Sequence, residues 1–287
     1  MEDHGSLPEA ADTSAEGRVA RRRLLKHLFR IGLAHGALLL IGAAPAASTG
    51  VGGEPTLTLS PEPSPEFTEV VSEPIRSQLG LALVEMAYGD PERAAARAQA
   101  AAVPERVRIY IDTSGHGRRR ASRLRKGARA ALNEWNRSVP GSPFEEVSRL
   151  SQADVVVRFV DRIQSSGRRL AGKVSWKRTV RKSAGKATFS IRGSVQIANI
   201  RPNGRSMTTS EVKRAVAHEL GHILGLRDTG DSSKLMGPVS ARDTEIGERE
   251  KRALEELDRR AQAVMEMHTA VRFRSRVPTV FHFAELR

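Results

Sequence analysis

From Arg106 onward the apolar positions fall into two alternating rhythms. "RVRIYID" (106–112) repeats with period two and puts Val107, Ile109 and Ile111 on one face, which predicts a strand. "RRASRLRKGARAALNEWNR" (119–137) switches to spacings of three and four, with Leu124, Ala128, Ala131 and Trp135 on one stripe beneath an arginine-rich outer face. That predicts an amphipathic helix stopped by Pro140 and Gly141. "FEEV" (144–147) and "DVVVRFV" (154–160) predict two further strands, and after a Ser-, Gly-, Arg- and Lys-rich stretch so do "KVSW" (173–176) and "ATFSIRGSVQIANI" (187–200). "RPNGR" then turns the chain.

A second helix is predicted from Thr208, with Thr208, Thr209 and Ser210 as N-cap candidates, Val212, Val216, Leu220 and Ile223 on its inner stripe, and Gly225 as its end. A last helix covers roughly 244–267. This order of elements predicts an α/β (α+β) domain with a small twisted mixed sheet. The final stretch, 271–287, alternates like a strand and would extend the sheet; no function can be read for it.

Residues 1–105 are patterned differently. A basic block (18–30) precedes an apolar run (31–44) too short for a comfortable membrane span, and Ala44 and Ala46 stand at signal-peptidase spacing. Residues 1–46 therefore read as a bacterial-type export signal. "RRRLLK" (21–26) is similar to the twin-arginine pattern. Secretion is expected, with membrane contact only during export; an uncleaved signal anchor holding the protein to the outside of the membrane is the alternative. Residues 47–80 mix Pro, Gly, Ser and Glu like an extended linker, and 85–102 are helical in pattern, so 47–105 read as an acidic linker or pro-segment ahead of a folded domain at 106–270.

Charge sharpens that division. Net charge is +1 over 1–46, −6 over 47–105 and +19 over 106–287, so the acidic segment is expected to attract the basic domain. A basic domain suggests acidic partners, but no aromatic stacking pattern runs through the cations and aromatics are only 4% of the chain, so a nucleic-acid partner is not expected. The chain has no cysteine, which excludes disulfides and thiolate ligands and leaves His, Asp and Glu to hold any metal.

Such a set occurs on the second helix. His218 and His222 are one helical turn apart and project from one face, while Glu219 lies about 100° round the axis, where it can act as a base instead of a ligand. Gly225 allows the chain to double back. The nearby candidates for a third ligand are Asp228 and Asp231, and the spacing favours Asp228. A carboxylate in the donor set would weaken the Lewis acidity of the metal.

"HELGHILGLRD" (218–228) followed by "KLMGP" (234–238) resembles the metzincin metallopeptidases, whose pattern is H-E-x-x-H-x-x-G-x-x-H with a later Met-turn. The spacing from Asp228 to "LMGP" is similar to that of the matrixin subgroup, and Asp in the third position resembles snapalysin-type secreted bacterial proteases. "ALNEWNRSV" and "ADVVVRF" are similar to the first helix and third strand of those proteases. The resemblance thus spans about 106–260.

It implies a metzincin-like zincin domain with active-site helix, Met-turn and C-terminal helix. It implies one Zn2+ bound by His218, His222 and Asp228, Glu219 as catalytic base, Met236 as apolar floor and a protein or peptide substrate. A Ca2+ ion is allowed by the family, with no acidic loop to assign it to. The resemblance also places extended substrate along the strand before the active helix, nominated here as 193–200. The chain departs from the family in lacking the disulfide, the cysteine switch and a tyrosine after Met236, where Gly237 and Pro238 follow. A catalytically silent module binding anionic cell-envelope partners is the alternative reading.

Overall fold

The structure is a computed structural model that describes residues 62–165, 168–183, 186–201, 203–238, 245–270 and 280–286. The expected export signal lies outside the described residues. No described helix is long and apolar enough to cross a membrane.

Three helices come first: α1 (Pro65–Val70), α2 (Glu73–Ala87) and α3 (Pro91–Ala101). Then follow β1 (Val107–Asp112), α4 (Arg118–Ser138), β2 (Phe144–Val147), a 3₁₀ turn (Leu150–Gln152) and β3 (Val155–Val160). A small hairpin, β4 (Ile163–Ser165) and β5 (Arg168–Leu170), leads into the long strands β6 (Gly172–Ser183) and β7 (Lys186–Ala198). Helix α5 (Thr209–Leu224), helix α6 (Glu248–Ala270) and strand β8 (Val280–Leu286) complete the order.

The main sheet runs β2-β1-β3-β7-β6-β8. Its first three pairings are parallel and the last two antiparallel. Period-two patterning sets its two faces: Val107, Ile109, Val155, Val157, Val174, Val195 and Ile197 are buried, whereas Arg158, Lys173, Lys177, Arg192 and Gln196 face outward and are exposed. The buried face packs against α4, through Leu124, Ala128, Ala131 and Trp135, and against α5, through Val212, Val216, Leu220 and Ile223. The expected mixed α/β domain with its active-site and C-terminal helices is what forms, and the C-terminal stretch does extend the sheet, antiparallel to β6.

Two expectations need correction. The nominated substrate strand, 193–200, is interior: β7 is hydrogen-bonded to β3 on one side and β6 on the other. The reason is the β6–β7 hairpin, longer than the short "KVSW" signal suggests because Lys and Arg occupy its solvent face. The extended linker expected over 47–80 is helical where described. Pro65, Pro74 and Pro91 each sit in the first turn of a helix, where a missing N–H costs nothing, and Ser64 and Asp90 accept the capping bonds from Phe67 and Arg93 amides.

Those helices belong to the core. Phe67, Val70, Val71, Ile75 and Leu79 are each no more than 4% exposed and lie in the same apolar cluster as α5 and α6. At about 2 kcal/mol each they contribute on the order of 10 kcal/mol, as much as the whole margin of a typical domain.

Candidate metal centre

Helix α5 is fixed at both ends. At its start Thr208 and Glu211 form a reciprocal capping box, in which the Glu211 carboxylate accepts from the Thr208 amide at 2.7 Å. At its end Gly225 adopts φ +109°, a left-handed conformation that costs a residue with a Cβ. The Leu226 amide then reaches back to the Gly221 carbonyl at 2.9 Å, and the chain reverses.

The reversal brings Asp228 over the histidines. Its Oδ1 lies 3.0 Å from His218 Nε2 and 3.3 Å from His222 Nε2. The other ring nitrogens are already committed: His218 Nδ1 is 2.8 Å from the Leu235 carbonyl and His222 Nδ1 is 2.9 Å from the Leu226 carbonyl. A carbonyl can only accept, so both Nδ1 atoms carry hydrogen and each Nε2 is the atom directed to the shared point. The rings stand nearly perpendicular, with centroids 5.0 Å apart.

Two imidazole nitrogens and a carboxylate oxygen, all within 4.8 Å of one another, can hold one metal ion. The donor chemistry suits a divalent cation of zinc type. The histidines are buried while the Asp228 side chain is 60% exposed, so the site opens to solvent on the aspartate side. The three groups also interact directly with one another. Burial disfavours a charged His218, but the Asp228 hydrogen bond, the Glu219 charge and the Leu235 carbonyl outweigh it and raise its pKa. Burial likewise opposes a charged Asp228, and the hydrogen bonds from His218 and then His222 overcome it, holding the carboxyl far below the usual range.

Asp231, the other candidate, faces away from this point. It accepts from the Ser233 amide at 2.9 Å and hydroxyl at 2.7 Å, closing its own turn. Glu219 is 6% exposed and lies against the start of β6: a Cβ on Gly172 would meet its Oε1 at 2.2 Å. Only a residue without a side chain lets that strand pass so close to the carboxylate.

Met236 is fully buried beneath the helix. A Cβ on Gly221 would lie 2.5 Å from its sulfur, so Gly221 is what allows the Met236 turn to press between the two histidine positions. The Thr229 amide donates to the Met236 carbonyl at 2.8 Å and ties that turn to the loop carrying Asp228. Trp135, expected in the core, is there, and its Nε1 donates to the Ala217 carbonyl at 2.8 Å.

Sequence patterning missed Gly172, which has no local signal, and Arg178. The latter lies beyond the predicted "KVSW" strand, yet it is fully buried and stacks over Trp176, 5.3 Å from the ring centroid. Alternation along β6 was the available clue: Val174, Trp176, Arg178 and Val180 share the inward face.

The structure therefore brings His218, Glu219, His222, Asp228, Gly225 and Met236 into one place. The matrixin family profile matches residues 108–264, the span from β1 into α6. No curated protein matches the chain. With more than half its length covered by that profile, the chain belongs to the matrixin family.

Proposed function

We propose that the protein is an exported zinc-dependent endopeptidase. The observation that carries this reading is the convergence of both Nε2 atoms and the Asp228 carboxylate, with each Nδ1 held by a carbonyl, beside the buried carboxylate of Glu219.

A zinc ion held by His218, His222 and Asp228 would supply Lewis acidity toward water and a peptide carbonyl. Glu219 accepts a proton from the attacking water, whose oxygen bonds to the carbonyl carbon, and delivers it to the amine nitrogen as the C–N bond breaks. Burial against Gly172 keeps that carboxylate fixed and shielded from competing solvent. Met236 supports the histidines from below. No tyrosine follows Met236, so stabilisation of negative charge on the substrate carbonyl oxygen would be left to a bound metal and to backbone N–H groups.

Extended peptide has one sheet edge next to Glu219. Strand β8 pairs with β6 from Ser175 to Arg181, and the first residues of β6, Gly172 to Val174, continue past it toward the carboxylate. Substrate backbone adds to the sheet there. The reading of residues 1–46 as an export signal supports action outside the cell. A binding-only module would have no use for a buried carboxylate beside the histidines, which favours the peptidase.

The test is cleavage of casein by the full chain with stoichiometric zinc. The reading predicts cleavage abolished by chelator, restored by zinc, and reduced at least about a thousandfold in Glu219→Ala, which keeps its zinc. Stoichiometric zinc with no cleavage by the wild type would end the peptidase reading.

A further inference from the structure

Residues 62–102 precede the stretch matched by the family profile, yet they grip the end of α5 from two sides. On one side, the connector between α1 and α2 lies antiparallel to the chain leaving α5, and Val71 bridges Leu226. The Ser72 amide donates to the Gly225 carbonyl at 2.8 Å, and the Arg227 amide donates to the Val70 carbonyl at 2.8 Å. Arg227 Nε also donates to the Glu69 carbonyl at 2.7 Å. Gly225, Leu226 and Arg227 are the residues that carry the chain from the helix to Asp228, and the Leu226 carbonyl is the one that orients His222.

On the other side stands Arg178. Its Nη1 donates to the carbonyls of Ala100, Ala101 and Ala102 at 3.1, 3.1 and 2.8 Å, and its Nη2 to the Ile223 carbonyl at 2.8 Å. One buried guanidinium thus satisfies the carbonyl ends of α3 and α5 together. Further ties bind the segment to α6: the Ser64 amide donates to Glu256 at 3.2 Å, and Arg260 donates to the Glu62 carbonyl at 2.7 Å.

We infer that residues 64–102 are a permanent part of the metal-binding domain, that Val70 and Ser72 are positioning residues for Asp228, and that a maturation cut falls before Ser64 and not near residue 105. The inference rests on the reading of Asp228 as a metal ligand only for its second part. Metal ligands lose affinity when the groups that orient them are removed, typically 10- to 100-fold. Here those groups are backbone atoms of the preceding segment, so its removal would free the Asp228 loop as well as uncover the core.

Ser72→Pro in the full chain isolates the positioning contact. Ser72 has φ −65° and ψ 146°, within the proline range, and Val71 before it is extended, so the dihedral angles admit proline, which deletes the N–H and sets its Cδ against the Gly225 carbonyl, forcing this one pairing apart. Zinc affinity, read by competition with a chromophoric chelator, should weaken about tenfold. In an Asp228→Ala background the same change should leave the residual affinity unaltered. In the metal-free protein, exchange of the Arg227 amide should accelerate. Arg227→Ala, a milder cut at the exposed side, should weaken zinc about threefold, between no effect and the tenfold loss.

Unchanged affinity and unchanged Arg227 exchange in Ser72→Pro would overturn the positioning role. Equal weakening with and without Asp228 would reduce it to a general structural effect and overturn it as well. Limited proteolysis of the full chain decides the other part without any metal. A resistant core beginning before Ser64 is expected, and one beginning near residue 106 would contradict it. A wild type that binds no zinc yet yields the core beginning before Ser64 would remove the peptidase reading and the ligand role of Asp228 while leaving the permanent segment standing.

Discussion

The two ends of helix α5 are fixed by different means. At the start, the capping partners are close in sequence: Thr208 and Glu211 cap each other, and Arg201 forks onto Glu211 at 3.0 and 2.7 Å. At the end, Gly225 reverses the chain, but the partners that hold it are Arg178 and Ser72, brought in from a distant strand and a helix connector. The start only has to begin a helix. The end has to deliver Asp228 to the histidines, and that accuracy comes from tertiary packing.

If this contrast is right, damage at the end should exceed damage at the start. Arg178→Ala leaves buried carbonyls at the ends of α3 and α5 without their donor and should destabilise the protein by about 3 kcal/mol in urea unfolding. A loss below about 1 kcal/mol would put the two ends on equal terms.

Gly225→Ala should cost roughly 2 kcal/mol, because the residue sits at φ +109° and the new Cβ would lie 3.3 Å from Ile75 Cγ1. Gly225→Asn, better suited to positive φ, should cost less by thermal melting. Thr208→Ala should cost only about 1 kcal/mol, with zinc affinity unchanged.

The smallest effect is pH-dependent. Burial pushes Glu211 up, but the Thr208 amide and hydroxyl and then Arg201 outweigh it and hold its pKa below the ordinary 4.5. A depressed carboxylate stabilises above its unfolded value and loses that contribution as pH falls through its folded one. Glu211→Gln should therefore cost about 0.5 kcal/mol at pH 7, and the gap to wild type should close in acid, below the ordinary 4.5, as the carboxylate is protonated. A gap that widens in acid would reverse the sign.

The same contrast explains what could be read from the chain. The strands β1 and β3, helix α4 and helix α5 follow from period-two and 3.6-residue patterning, and the histidines and Glu219 follow from spacing along one helix, while Met236 was pointed out only by the resemblance to the metzincin pattern. Spacing already favoured Asp228 over Asp231, and the fold supplies the physical reason: the path of the reversal brings Asp228 to the histidines, while Asp231 bonds to Ser233. Prolines 65 and 74 look the same in a linker and in the first turn of a helix, so the first two N-terminal helices were hidden, whereas the Ala-rich pattern over 85–102 announced the third. Arg178 was illegible because a buried cation bonded to carbonyls leaves no sequence signal beyond its parity along β6.

Zinc content of three purified full-length proteins tests the metal site most directly. Elemental analysis should find about one zinc per chain in the wild type and in Asp231→Ala, and well below one in Asp228→Ala after dialysis against a weak chelator. Stoichiometric zinc in Asp228→Ala together with its loss in Asp231→Ala would contradict the site described for this chain.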